Sequence, residues 1–423
     1  MMRSFQVEAS PARAGVAQRA LRVIGIVLLT IWGLWWTGSV FIGRLIDGNK
    51  TWIDSYWHLG VDLQHSYAAS RHWLSGGDPY MQPFGDELDR RYNFPPVTLP
   101  LFAWSRWIDY DTAVALWTVA LTAMVAAAAH VASRARRYLG LSVLPGVLVI
   151  ALSLWSTPVI FAIERGTSDA FVLVLLVVSA WSGRDASWGG DIAAGASLGL
   201  AAGIKVYPAF TACAAFVTLR RWRSLGAFAA TVLGIVLVDP ELAGHAWWRL
   251  RNYIDFAPVR IFDSFVMGQH SLTAAWERMT EGSPFGLIPA LPLCGLLLVG
   301  LALWVGRAIR PVASRWEVVY VYFLLLTAAA TFLPSATNDY NLIFLPVGIL
   351  AVWDLHDPWP IQLLMALFLP FWQPVRFLMT GELMMLFKMA GLAGLAYALV
   401  YHAGDARSRS HSSVSLKCAA ASS

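Results

Sequence analysis

An apolar run from Leu21 to Ile42 opens a chain in which such runs recur almost to the C-terminus. The run is too long for the core of a signal peptide and lacks a small-residue cleavage site, so it reads as a retained membrane anchor. No water reaches the hydrocarbon core to pair with backbone groups, and a helix satisfies them internally. Charged residues make up 13% and hydrophobic ones 57% of the 423 residues, against about 25% charged in a soluble domain. These values predict an all-α polytopic membrane protein. The 21 Trp residues, many near the ends of apolar runs, fit interfacial belts. Cys213, Cys294 and Cys418 are scattered, so neither a disulfide framework nor a zinc site is expected.

The formal charge of +5 comes from short Arg clusters between apolar runs. That is the positive-inside pattern and not a nucleic-acid footprint, so membrane lipid and no nucleic acid is the expected environment. Residues 1–20, with Arg3, Arg13 and Arg19, mark a cytoplasmic start and place residues 52–107 outside. Spans follow over 112–132 and 142–163, then shorter runs over 170–181, 192–204, 209–219 and 225–238. Runs of about 11–15 residues are marginal for crossing a bilayer and suit tilted or broken helices around a cavity. A second outer loop covers 240–284, followed by spans over 286–305, 318–332, 342–353, 360–372 and 383–401. The expectation is one domain over 21–401 with about 11–13 transmembrane helices. Both termini then face the cytoplasm of a multi-pass cell-membrane protein, and the Ser-rich segment 402–423 is expected to be a disordered tail.

The loop 52–107 gathers more acidic, His and Tyr residues than any other stretch. Val61 to Leu74 can be written as an amphipathic helix with Asp62, His65, Ala69 and His72 on one face. Gly76-Gly77 stops it, Asp78-Pro79 turns the chain, and 97–107 is a half-length interfacial or re-entrant helix begun by Pro95-Pro96. A wet polar face beside a bilayer is a place for an acid or base, and Asp62 is the candidate; the bland alternative is a solvated residue or a cap. Asp54 and Asp78 read as structural.

With this topology Asp62, Arg165, Asp169, Lys205, Tyr207, His270, Arg278, Asn338 and Asp339 fall on one side of the membrane. Ionisable groups at membrane depth cost roughly 2.5–3.5 kcal/mol or more, so a gathering of them points to a site. Lys205 also reads as a snorkelling end, and Arg165 with Asp169 as a simple i, i+4 pair. No Gly-rich nucleotide loop is present, nor an Asp-x-Asp pair of the kind that holds a metal–nucleotide sugar. No cofactor, divalent ion or sugar nucleotide is therefore expected.

The order Asp62, Tyr67, Gly77-Asp78-Pro79-Tyr80 and Tyr92-Asn93-Phe94-Pro95-Pro96 resembles glycosyltransferase family 87. Gly203-Ile204-Lys205-Val206-Tyr207-Pro208, followed by Arg220-Arg221-Trp222-Arg223, is similar to that family's Lys-Pro-Tyr-Pro segment and basic turn. Gln269-His270-Ser271-Leu272 is similar to its Asn-Gln-Ser-like loop. The likeness runs from about Asp62 to Leu350. It departs at two places: Arg165-Gly166-Thr167-Ser168-Asp169 replaces a Gly-Gln-x-Asn-like corner, and Asn338-Asp339-Tyr340-Asn341 replaces a Trp-x-His-Tyr-like element. The resemblance implies a GT-C-type fold and an inverting transferase. Its donor would be a polyprenyl-phosphate sugar, mannose or arabinofuranose, and its acceptor lipid-linked or a glycan. It implies Asp62 as general base, Lys205 and Arg165 at the donor phosphate, and Tyr207, His270, Asp169, Tyr80 and Asp339 around the substrates. The other classes are a lipid-linked sugar transporter or flippase and a surface-polysaccharide ligase or polymerase. A transporter exposes its charged site to both sides in turn, whereas these charges gather at one.

Overall fold

The computed structural model describes residues 11–37, 60–82, 84, 91–142, 144–185, 187–251, 290–333, 339–369 and 381–421. Among them the structure is helical, without a β-strand. Asp54, His270, Arg278 and Asn338 lie outside the described residues.

α13 (Trp316–Ala330) forms the axis of the bundle. Its sequence Val318 to Ala330 is apolar on every face apart from Thr327, and every one of these residues is buried. A helix apolar all round is stable only when surrounded. It is enclosed by α4 (Tyr110–Tyr138), α7 (Asp169–Ser182), α9 (Pro208–Thr218), α12 (Ala290–Ile309), α14 (Phe344–Val352) and α16 (Gly381–Ala421). α1 (Pro11–Thr37) packs on α5 (Gly146–Leu154) and leaves Ile24, Val27, Ile31 and Leu34 exposed, as a lipid-facing helix does.

Close packing of α8 (Trp188–Ile204) on α10 (Trp222–Val238) follows from three glycines at four-residue spacing. A Cβ at Gly195 would meet Ser224 O, one at Gly199 would lie 2.6 Å from Thr231 Cβ, and one at Gly203 2.8 Å from Ile235 Cδ1. Small residues at that spacing let two helix backbones approach in a membrane. The C-terminal end of α8, where Lys205 follows, is thereby held.

At the far end of α4 and α14 a polar node ties loops together. Buried Arg136 donates to the carbonyls of Leu350 at 3.1 Å and Trp353 at 2.6 Å, and to Ser142 O at 3.0 Å. Asp354 Oδ2 accepts from Ser142 N at 2.7 Å and Ser142 Oγ at 2.6 Å. Burial alone would raise the Asp354 carboxyl, but hydrogen bonds from Ser142 and His356 outweigh it and hold the group well below the usual carboxylate range.

The structure adds detail at three places. Among the described residues four helices are long and apolar enough to cross a membrane, Val16–Trp35, Tyr110–Tyr138, Pro292–Val312 and Met385–Ser408, or up to six if each bent pair is one span. Several remaining apolar runs form helices of 10–17 residues, which cannot each span about 30 Å. The run 142–163 is not one helix: α5 and α6 (Thr157–Arg165) meet at 63°, because Trp155-Ser156 breaks the ladder before Pro158. Finally, α16 continues as helix through residues 402–421. Once a packed helix is nucleated, Ala- and Arg-containing sequence without Pro extends it cheaply.

Candidate active site

Val61–Leu74 forms α2, with the bounds expected, and Gly76 at φ +90 ends it. Its polar face is not wet. Asp62, His65 and Ala69 are buried on one side and Leu63 and Tyr67 on the other. α2 is wedged among α3 (Thr98–Leu101), the 3-10 turn Ala103–Arg106, α4 and α6, and in its first two turns only Gln64 and Ala68 stay partly exposed.

Two left-handed glycines fix the start of α2 against the end of α6. Gly60 precedes α2 at φ +83, and Gly166 caps α6 at φ +72. Gly60 N donates to Glu164 O at 2.7 Å, and Gly60 O accepts from Tyr110 Oη at 2.9 Å. Trp117 Nε1 donates to Gly166 O at 2.9 Å. A Cβ on Gly166 would stand 2.8 Å from Leu63 Cβ. Only glycine permits both this backbone and this approach.

The approach brings Asp62 and Arg165 into a two-point fork. Arg165 Nε donates to Asp62 Oδ2 at 3.0 Å and Arg165 Nη2 to Asp62 Oδ1 at 2.8 Å, with both side chains mostly buried. Planar guanidinium matches carboxylate in this way better than any other cation. Arg165 and Asp169 do not pair as an i, i+4 couple, because Gly166 ends the helix between them.

Asp169 instead begins α7, where the helix N-terminus favours a carboxylate. It is fully buried. Lys205 Nζ lies 3.6 Å from its Oδ2, and Asn341 Nδ2 donates to both oxygens at 3.2 and 3.3 Å. Asn341 belongs to the turn Asp339–Ile343, which packs on α6. The sequence reading placed Asn341 in a departing motif without giving it a role; the structure makes it the companion of Asp169. Only the backbone of Asp339 is described here. Tyr207 packs edge-on against Phe344 at 5.8 Å, and its buried hydroxyl has no hydrogen-bond partner among the described residues. An unsatisfied buried hydroxyl is a candidate donor for a ligand.

The rest of the loop backs this cluster. Phe94 presents its ring to Lys205 Nζ at 4.3 Å. Tyr80, fully buried, donates to Phe94 O at 2.7 Å, and Tyr92 pairs with Thr98 Oγ1 at 2.6 Å. Burial raises the Tyr80 phenol well above its usual range and pushes Tyr92 up to about 12, so both stay neutral donors. His65 is enclosed by Phe84, Tyr92 and Phe94. Asp78 turns the chain by accepting from Tyr80 N at 2.8 Å, and its other oxygen meets His245 Nδ1 at 2.6 Å on α11 (Pro240–Arg251).

One Asp-x-Asp triplet escaped the sequence reading, Asp109-Tyr110-Asp111; Asp109 caps α4 by accepting from Thr112 N at 2.9 Å. No three His, Cys, Asp or Glu side chains among the described residues are grouped to hold a metal ion.

Neither a curated protein nor a solved structure matches the chain. The family model of glycosyltransferase family 87 matches residues 92–335, which takes in Arg165, Asp169, Lys205 and Tyr207 and begins after Asp62. With more than half of its length matched, the chain belongs to glycosyltransferase family 87.

Proposed function

We propose that this glycosyltransferase moves a sugar, mannose or arabinofuranose, from a polyprenyl-phosphate donor to a lipid-linked or glycan acceptor on the extracytoplasmic face. Asp62 acts as general base, the anomeric centre inverts, and no metal takes part. The observation that carries this reading is the pair of neighbouring ion pairs, Asp62 with Arg165 and Asp169 with Lys205, at the junction of loop helix and bundle. Two carboxylates and two cations in a largely buried setting suit a reaction that needs one proton acceptor and a counter-charge for a phosphate.

In the transfer an acceptor hydroxyl gives its proton to Asp62 while its oxygen attacks the anomeric carbon. The bond from that carbon to the phosphate oxygen breaks, its electron pair leaves with the lipid phosphate, and the proton stays on the carboxyl. Proton removal in such a step contributes typically 10²–10⁴-fold. Phosphate is a good leaving group, so cations are of more use here than an acid. Arg165 serves both partners: it holds Asp62 in the fork and turns toward the donor phosphate as that ligand enters. Lys205 and the Tyr207 hydroxyl meet the same phosphate.

The test is incubation of the purified protein with radiolabelled polyprenyl-phosphate mannose or arabinofuranose and candidate acceptors, with and without EDTA. Transfer that persists in EDTA and disappears in Asp62→Asn supports the reading. Transfer restored only by added Mg²⁺ or Mn²⁺ sinks it.

A further inference from the structure

Lys205 Nζ stands 4.3 Å from the centre of the Phe94 ring and 3.6 Å from Asp169 Oδ2. The ammonium has not closed on the carboxylate, since a direct charged contact lies at about 2.7–2.9 Å. Both anchors are fixed. The Phe94 carbonyl takes the Tyr80 hydroxyl, and its ring meets Tyr92 at 5.6 Å and His65 at 5.9 Å. Pro95, immediately after it, confines Phe94 to extended backbone. Asp169 is held by Asn341, and Lys205 itself follows the glycine-packed end of α8.

We propose that Phe94 is a positioning residue for the donor phosphate, acting through Lys205. The proposal rests on the donor-binding reading of Lys205 given above. An aromatic face attracts a cation through its quadrupole but brings no counter-charge. A second carboxylate in that place would neutralise the ammonium. The ring instead keeps it in place with charge and N–H directions left over for a phosphate oxygen. Without the ring, the flexible four-carbon stem lets the ammonium fall onto Asp169 or swing out to water. The motif Tyr92-Asn93-Phe94-Pro95-Pro96 thereby gains a chemical purpose: the tyrosine builds the box, the prolines fix the backbone, and the phenylalanine aims a lysine.

The experiment measures binding of undecaprenyl phosphate to the full chain in detergent or nanodiscs. Phe94→Leu keeps bulk and apolarity but removes the π face, and should weaken binding roughly two- to thirtyfold. Phe94→Trp should restore it. Phenylalanine carrying one, two or three ring fluorines at position 94 changes shape little and drains the ring face in steps, so the dissociation constant should climb with each fluorine. That series stays informative even if Phe94→Leu folds poorly. In a Lys205→Met background the fluorine dependence should vanish. A flat response across the fluorines, with Lys205→Met still weakening binding, overturns the role of Phe94 and leaves the donor reading standing. Equal binding by wild type and Lys205→Met overturns both.

Discussion

Asp62 and Arg165, 103 residues apart, close a fork with contacts of 2.8 and 3.0 Å across the seam between the first loop and the helix bundle. Each oxygen of the carboxylate is engaged by a different nitrogen. The group proposed as base and a cation proposed for the leaving phosphate are thus each other's partners before any substrate arrives.

Asp62→Asn tests the base directly. Asparagine keeps the size and one acceptor but takes no proton, so turnover per folded molecule should fall by roughly 10²–10⁴-fold. The variant also removes the carboxylate charge that faces Arg165 in the fork. Its melting temperature should therefore drop, and the double variant Asp62→Asn/Arg165→Gln should recover part of that drop while staying inactive. Full activity per folded molecule in Asp62→Asn would assign the fork to structure alone.

Gly166→Ala should disturb fold and chemistry together. The left-handed backbone costs an alanine on the order of 1–2 kcal/mol, and the new methyl meets Leu63 at 2.8 Å. Thermal melts should show the loss. Adding Leu63→Gly, which removes the Cβ that the new methyl meets, should make the pair less destabilised than the sum of the singles. Strict additivity would mean that the two residues do not touch.

Asp354 supplies a pH test at the other end of the bundle. Its folded carboxyl lies below the ordinary carboxylate range, so it stabilises the fold at neutral pH, and that contribution is lost as the pH falls below about 4. Asp354→Asn should lower stability by about 3 kcal/mol at pH 7, through loss of a buried charged partner. The gap between wild type and variant should stay constant down to about pH 5 and narrow below 4.

Sidedness is testable with single cysteines in a cysteine-free background. Exposed positions Ser75, just after α2, and Ser408, late in α16, should label oppositely in intact cells, Ser75 from outside and Ser408 not. Labelling of Ser408 from outside would invert the proposed orientation.

Local chemistry made much of this legible in the sequence. The bounds of α2, its glycine stop and the Asp78 turn all depend on neighbours within a few residues, and all stand in the structure. Pairing did not. Spacing along a helix suggested Arg165 with Asp169, and the outcome turned on Gly166, whose left-handed cap sends the two residues to different partners. Nothing near Asp62 in sequence announces Arg165, because the contact depends on how α2 docks against α6. The same holds for Asn341 and for Phe94, whose partners come from distant helices. Buried Lys388 on α16 was missed for a simpler reason, since it interrupts an apolar run without ending it.

The last helix has a consequence for handling the protein. Its 41 residues extend about 60 Å, twice the thickness of a hydrocarbon core. If Met385–Ser408 lies in the bilayer, the turns from there to Ala421 stand up like a mast for roughly another 20 Å. A fluorescent protein or affinity tag joined beyond Ala421 then rides clear of both lipid and bundle, at the end opposite the ion pairs, where a resin or an antibody reaches it without crowding the chemistry.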